Sequence, residues 1–183
     1  MINREEALKI FKKYNETQSL YYHALCVESV MRLAAQTYGE DVEYWGIVGL
    51  LHDVDYEKYP EQHCTKAVEI LKEHNVPEDV IHAIVSHAWG MCSDVEPERQ
   101  MEKILFAIDE LTGLVYATAL MRPEKMVNMS LKSVKKKWNT KSFASGVDRD
   151  VITKGSQMCG IEVSELINMT IKALTSISSE IGL

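Results

Sequence analysis

The feature that most restricts what this chain can fold into is its hydrophobic period. From Arg4 to about Ile181, apolar residues recur every three or four positions, and no segment sustains the two-residue alternation of a half-buried strand. An all-α fold follows, a single compact bundle of about eight to nine helices. The period and its breakers place helices at about 4–14, 18–38, 42–52, 63–74, 78–88, 99–121, 124–137, 147–159 and 162–181. Asn3 is suited to cap the first helix, with Glu6 at the capping-box position. Gly39, Pro60, Pro77, Pro97, Pro123, Gly146 and Gly160 fall between helices, where residues that break a helix belong.

Several classes of function are disfavoured. Net charge is −7, which argues against a general binder of nucleic-acid polymers. The longest apolar run, Ile104 to Met121, carries Asp109 and Glu110 near its centre, where lipid would penalise both, so no membrane partner is expected. The N-terminal MINREEALKIFKK has no apolar core of the secretory type, and a cytoplasmic protein is expected. Cys26, Cys64, Cys92 and Cys159 show no paired spacing and read as reduced, buried and inert thiols.

The charged and imidazole residues inside apolar helices are the informative ones. His52 and Asp53 end the run YWGIVGLL, which is apolar on nearly every side. A carboxylate buried beside an imidazole is costly unless something positive joins them, and a divalent metal does so. His23 has Leu20, Cys26, Val27 and Val30 as helical neighbours and faces the same interior. Asp109 is stacked among Leu105, Phe106, Thr112 and Gly113, with no Lys or Arg within a turn. Glu110 is the alternative buried acid, suited to hydrogen-bond a ligand histidine. His63 and His87 also face inward, whereas His82 lies among Glu78, Asp79 and Ser86 and reads as exposed, and His74 sits in a last helical turn.

The order His23, His52-Asp53, Asp109, each on its own helix, resembles the metal-binding signature of the HD-domain superfamily of phosphohydrolases, over roughly residues 18–121. The resemblance implies an HD-domain bundle with residues 1–121 as the metal-binding core and 122–183 as a helical extension packed on the same domain. It also implies that His63 and His87 are the third and fourth histidines of dinuclear members. Two departures stand out: Val54-Asp55 replaces the Ile-Gly that often follows the dyad, and Tyr56-Glu57 stands where some members carry a Glu-Asp pair. Later stretches, MEKILFAIDELTGLVYATALMRP and KSVKKKW, are similar to those of small bacterial HD proteins.

The activity implied is metal-dependent hydrolysis of a small phosphorylated or nucleotide-like molecule, a phosphomonoester or phosphodiester. One or two divalent ions are expected, with Mn, Fe, Co, Ni and Mg all admissible. Asp53 would serve at the reacting centre, with Asp55 or Glu57 just past the dyad protonating a leaving group or positioning water. Between Arg122 and Gly155 there are nine Lys/Arg against three Asp/Glu. That cluster, which includes Lys135, Lys137, Lys141 and Arg149, could steer a phosphorylated substrate, with Arg122, Lys132 and Lys136 as the candidate contacts. Two other functions fit the same signature: a diiron oxygenase, and a non-catalytic module that senses a metal or ligand. The oligomeric state is not legible.

Overall fold

The structure is a computed structural model that describes residues 2–140 and 142–183. Among these residues nine α-helices and one short 3-10 turn follow one another, with no strand beyond an isolated bridge between Trp89 and Ser93. Helix α1 (Arg4–Tyr14) starts on a reciprocal cap: Asn3 Oδ1 accepts the N–H of Glu6 at 3.0 Å, and the Glu6 carboxylate accepts that of Asn3 at 2.9 Å. Helix α2 (Gln18–Tyr38) stops at Gly39, whose φ of +70° gives the left-handed turn. Helix α3 (Val42–Leu51) starts on Asp41, which accepts the N–H groups of Glu43 and Tyr44. The chain then passes through the 3-10 turn Pro60–Gln62 to α4 (Thr65–Glu73), α5 (Glu78–Ser86), α6 (Gln100–Leu120), α7 (Leu131–Trp138), α8 (Arg149–Cys159) and α9 (Val163–Ser176).

Among the boundaries that differ from the sequence expectation, three stand out. Helix α7 begins at Leu131, not near 124, because Lys125 and Asn128 take φ values of +50° and +54° that no helix accommodates. Arg122 fixes that turn by donating to the carbonyls of Lys125 and Val127. Helix α4 starts at Thr65 because Cys64 has φ +67°, and α9 ends at Ser176 before a run of turns.

The helices that carry the candidate ligands are in direct contact. Helix α2 packs along α3 and also against α6 and α9, while α6 packs along α8. Glycine permits the closest approaches. A Cβ on Gly49 of α3 would stand 3.1 Å from Glu28 Cα and 3.1 Å from the Val27 carbonyl of α2. One on Gly155 of α8 would meet Ala107 Cα at 2.6 Å. Thirteen of the 21 residues of α6 are buried, including Ile104, Leu105, Ile108 and Leu111. One charge lies inside the α1–α2 contact: the buried Glu28 accepts from Arg4 Nε and Nη2 at 2.6 and 2.8 Å and from Arg32 Nε at 2.8 Å. Among the described residues no helix is long and apolar enough to cross a membrane.

Candidate metal centre

Six side chains from five parts of the chain meet at one point. His23 comes from the second turn of α2, His52 caps the end of α3, and Asp53 follows it. His63 ends the 3-10 turn, His87 caps the end of α5, and Asp109 lies midway along α6.

Helix termination aims two of these rings. The last carbonyls of a helix have no intrahelical partner. His52 Nδ1 donates to the Gly49 carbonyl at 2.8 Å, and His87 Nδ1 donates to that of Ile84 at 2.5 Å. A carbonyl only accepts, so in the neutral ring Nδ1 carries the proton and Nε2 presents a lone pair. His63 is fixed in the same tautomer by a carboxylate: its Nδ1 donates to Asp55 Oδ1 at 2.7 Å, while Asp55 Oδ2 accepts the N–H of Ala67. His23 Nδ1 lies 3.5 Å from Thr112 Oγ1.

The Nε2 atoms then converge on carboxylate oxygens in two groups. In the first, His23 Nε2 is 3.2 Å from His52 Nε2 and 2.9 Å from Asp109 Oδ1, and His52 Nε2 is 3.4 Å from Asp53 Oδ2. In the second, His63 Nε2 is 3.3 Å from His87 Nε2, and these lie 3.4 and 3.5 Å from Asp53 Oδ1. Asp53 thus turns one oxygen to each group. Neighbouring donors on an ion with bonds of about 2.1 Å stand ~3.0–3.4 Å apart, and the observed separations match.

Electrostatics supports the same reading. Burial alone would lower the His52 pKa, but the charges of Asp53 and Asp109 hold it well above the ordinary imidazole value. Burial alone would raise Asp53, yet His52 and His87 hold it well below the carboxylate range. Asp109 is lowered in the same way by His52 and His23. The cluster demands positive charge at its centre. A divalent cation supplies it without packing one N–H against another, so a mixed imidazole and carboxylate donor set fits a metal.

A cleft of about 420 Å³ opens above these atoms. Its wall adds residues that the sequence pattern did not single out: Leu20, Tyr56, Met91 and Cys92. Tyr56 and Met91 are 45% and 51% exposed, so the mouth is partly apolar. Both belong to loops that leave a ligand, Tyr56 three residues past Asp53 and Met91 four past His87, and that proximity was the available signal. A larger hollow of about 650 Å³ lies between α2 and α9 around the Arg4–Glu28–Arg32 network, away from the histidines. The smaller cleft is the candidate site because it contains the convergent donors.

Other expected residues are placed elsewhere. Asp55 is fully buried with both oxygens engaged, so it buttresses His63 and is not a free acid. Glu57 accepts the N–H groups of Glu16 and Thr17 and the Thr17 hydroxyl, which hold its pKa below the usual glutamate value. It therefore closes the start of α2; neither acid, expected to protonate a leaving group or position water, lines the cleft. Arg122 is consumed in its own turn, and Arg149 donates to the carbonyls of Trp138, Val147 and Phe143. Lys132 and Lys136 are exposed on α7 and do not line the cleft, and Lys141 lies outside the described residues. Among the described residues, no side chain of the basic segment lines the cleft.

Glu110 lines the cleft, but its Oε2 accepts the N–H of Asp148 at 3.1 Å and bonds no ligand histidine. Burial, helped by the charge of Asp109, pushes its pKa up to about 7. His82 is half-buried with Nδ1 3.1 Å from the buried Glu102, so its surroundings are not the acids of its own helix. Cys64 and Cys92 are not independent inert thiols: their sulfurs lie 3.8 Å apart, and Cys92 is exposed.

No solved structure matches this chain. The family model described as HD domain matches residues 20–114, just over half of the chain and the stretch that contains all six donors. The chain therefore belongs to the HD-domain family, whose members are generally metal-dependent hydrolases.

Proposed function

We propose that this protein is a dinuclear phosphohydrolase acting on a small organic phosphoester. The observation that carries the reading is the placement of Asp53, whose Oδ2 faces His52 and whose Oδ1 faces His63 and His87. A carboxylate placed in this way suits a bridge between two ions. When bound, such ions supply an acidified water as nucleophile and polarise a phosphoryl oxygen.

The chain's own residues do the rest. His23, His52 and Asp109 would hold a first ion and His63 and His87 a second, with Asp53 available to both. The hydrogen bonds at Nδ1 hold the rings in place before any substrate arrives. Tyr56 and Met91 offer an apolar rim to an organic leaving group, and Glu110 is the carboxylate of the cleft wall that neither donor group uses. Thr112 sits beneath His23 and donates to the Asp109 carbonyl at 2.7 Å.

Metal analysis of protein purified without chelator tests this, followed by a phosphoester screen with Mn, Fe, Co, Ni or Mg returned to the metal-free form. About two ions per chain and turnover of a phosphomonoester or phosphodiester are expected. The four-histidine, two-carboxylate set also favours a second reading, an iron pair that uses oxygen. That enzyme would be coloured as purified and would consume oxygen in the presence of its substrate.

A further inference from the structure

Cys64 and Cys92 lie 28 residues apart in the sequence, yet their Sγ atoms are 3.8 Å apart, in contact. Cys64 is buried and held in a backbone conformation, φ +67° and ψ −41°, that a residue with a side chain rarely adopts. It directly follows His63 and packs with Val85 and Ala88, the latter directly following His87. The buried thiol is therefore wedged between the two loops that carry the second donor group. Cys92 is its opposite in exposure: it is exposed, it lines the mouth of the metal cleft, and it sits in a turn pinned mainly through the Ala88 carbonyl.

We infer that Cys64 and Cys92 are an oxidative modification site, a dithiol that hydrogen peroxide closes to a disulfide, which weakens the His63–His87–Asp53 ion position. In the first step the Cys92 sulfur attacks the peroxide O–O bond, giving a sulfenic acid and releasing water. In the second the Cys64 sulfur attacks the sulfenyl sulfur, the S–S bond forms and a second water leaves. Two thiols lose two electrons and two protons, and one peroxide becomes two waters.

Closure requires the sulfurs to approach from 3.8 Å to about 2.05 Å. Drawing Cys92 towards Cys64 loads the turn that also carries Met91 of the cleft wall. The pull on Cys64 is transmitted to His63 one residue away. Disturbing the support of a ligand histidine lowers metal affinity or activity by ~10–100-fold.

The metal-loaded protein, reduced and freed of thiol, is treated with hydrogen peroxide and mapped by non-reducing tryptic digestion. Cys64 and Cys92 fall in separate peptides, Tyr59–Lys66 and Glu73–Arg99. The expected product is these two joined, lighter by two hydrogens, with one ion lost per chain on desalting and both changes reversed by dithiothreitol. Cys92→Ser should keep its own untreated metal content after the same treatment. Failure to find the joined peptide, or a Cys92 sulfinic acid with Cys64 still free, overturns the site. A joined peptide with no change in bound metal overturns its regulatory effect, as does equal metal loss from Cys92→Ser. The linkage and the metal count are both read without substrate, so failure to find a phosphoester substrate leaves this test intact.

Discussion

The carboxylate of Asp55 and the imidazole of His63 are joined by a 2.7 Å hydrogen bond that leaves His63 Nε2 free to face Asp53 and His87. Asp55→Asn preserves shape but replaces a charged acceptor with an amide. Affinity at the second ion position should fall by ~10–100-fold while the first ion stays bound. Titration of the metal-free protein with Mn or Co, followed by calorimetry, separates the two steps. Equal weakening of both would mean that Asp55 supports the whole centre and not His63 alone.

The two donor groups should be separable by mutation. His87→Ala is expected to leave about one ion per chain, and His52→Ala to reduce the first position most. His82→Ala serves as a control: it should keep the wild-type metal content while losing some stability, because Glu102 gives up one of its partners. Metal analysis of the four proteins decides. Identical content in wild type and His87→Ala would limit the site to one ion.

Glu57 should behave as a structural anion. Its folded-state pKa is depressed below 4.5, chiefly by the Thr17 hydroxyl and the backbone N–H groups at the start of α2. A depressed carboxylate contributes stability that is complete above the unfolded pKa and is lost as pH falls through the folded one. Glu57→Gln should therefore lower Tm at pH 7, and the gap to wild type should narrow as pH drops below about 4.5. The acid limb of any pH–rate profile should stay where it is. A Tm unaffected by the change, with a shifted acid limb, would return Glu57 to the chemistry.

Glu28 is the charge whose removal should be costly without touching the metal. Glu28→Ala leaves Arg4 and Arg32 facing each other without their shared partner. The expected loss is ~2–4 kcal/mol, below the upper range for a buried pair because Arg4 is half-exposed and Arg32 keeps Glu43 as a partner. Urea denaturation measures it, and the folded variant should bind the wild-type complement of metal.

Much of this arrangement is legible in the sequence because it rests on local pattern. The period of three and four residues marks every helix, and an acid at position 109 inside an apolar run demands a partner on energetic grounds alone. What escapes depends on distance in sequence. Nothing near Glu57 indicates that its carboxylate reaches Thr17, 40 residues back, and nothing near Cys64 points to Cys92. The exposed reading of His82 misses its partner because Glu102 comes from another helix. Arg122 and Arg149 read as charges in the sequence, whereas each folds a turn by donating to backbone carbonyls, an outcome set by conformation more than by net charge.

Gly49 does two jobs from one position, and they are coupled. Its missing side chain lets α3 lie against Glu28 and Val27 of α2, and its carbonyl fixes the tautomer of His52. His23 belongs to α2 and His52 to the end of α3, so the spacing of these two helices is also the gap between two candidate ligand nitrogens. Core packing would thus gauge the size of an ion held there. An alanine at 49 would widen that gap from a distance, shifting preference among cations while every ligand stayed in the sequence.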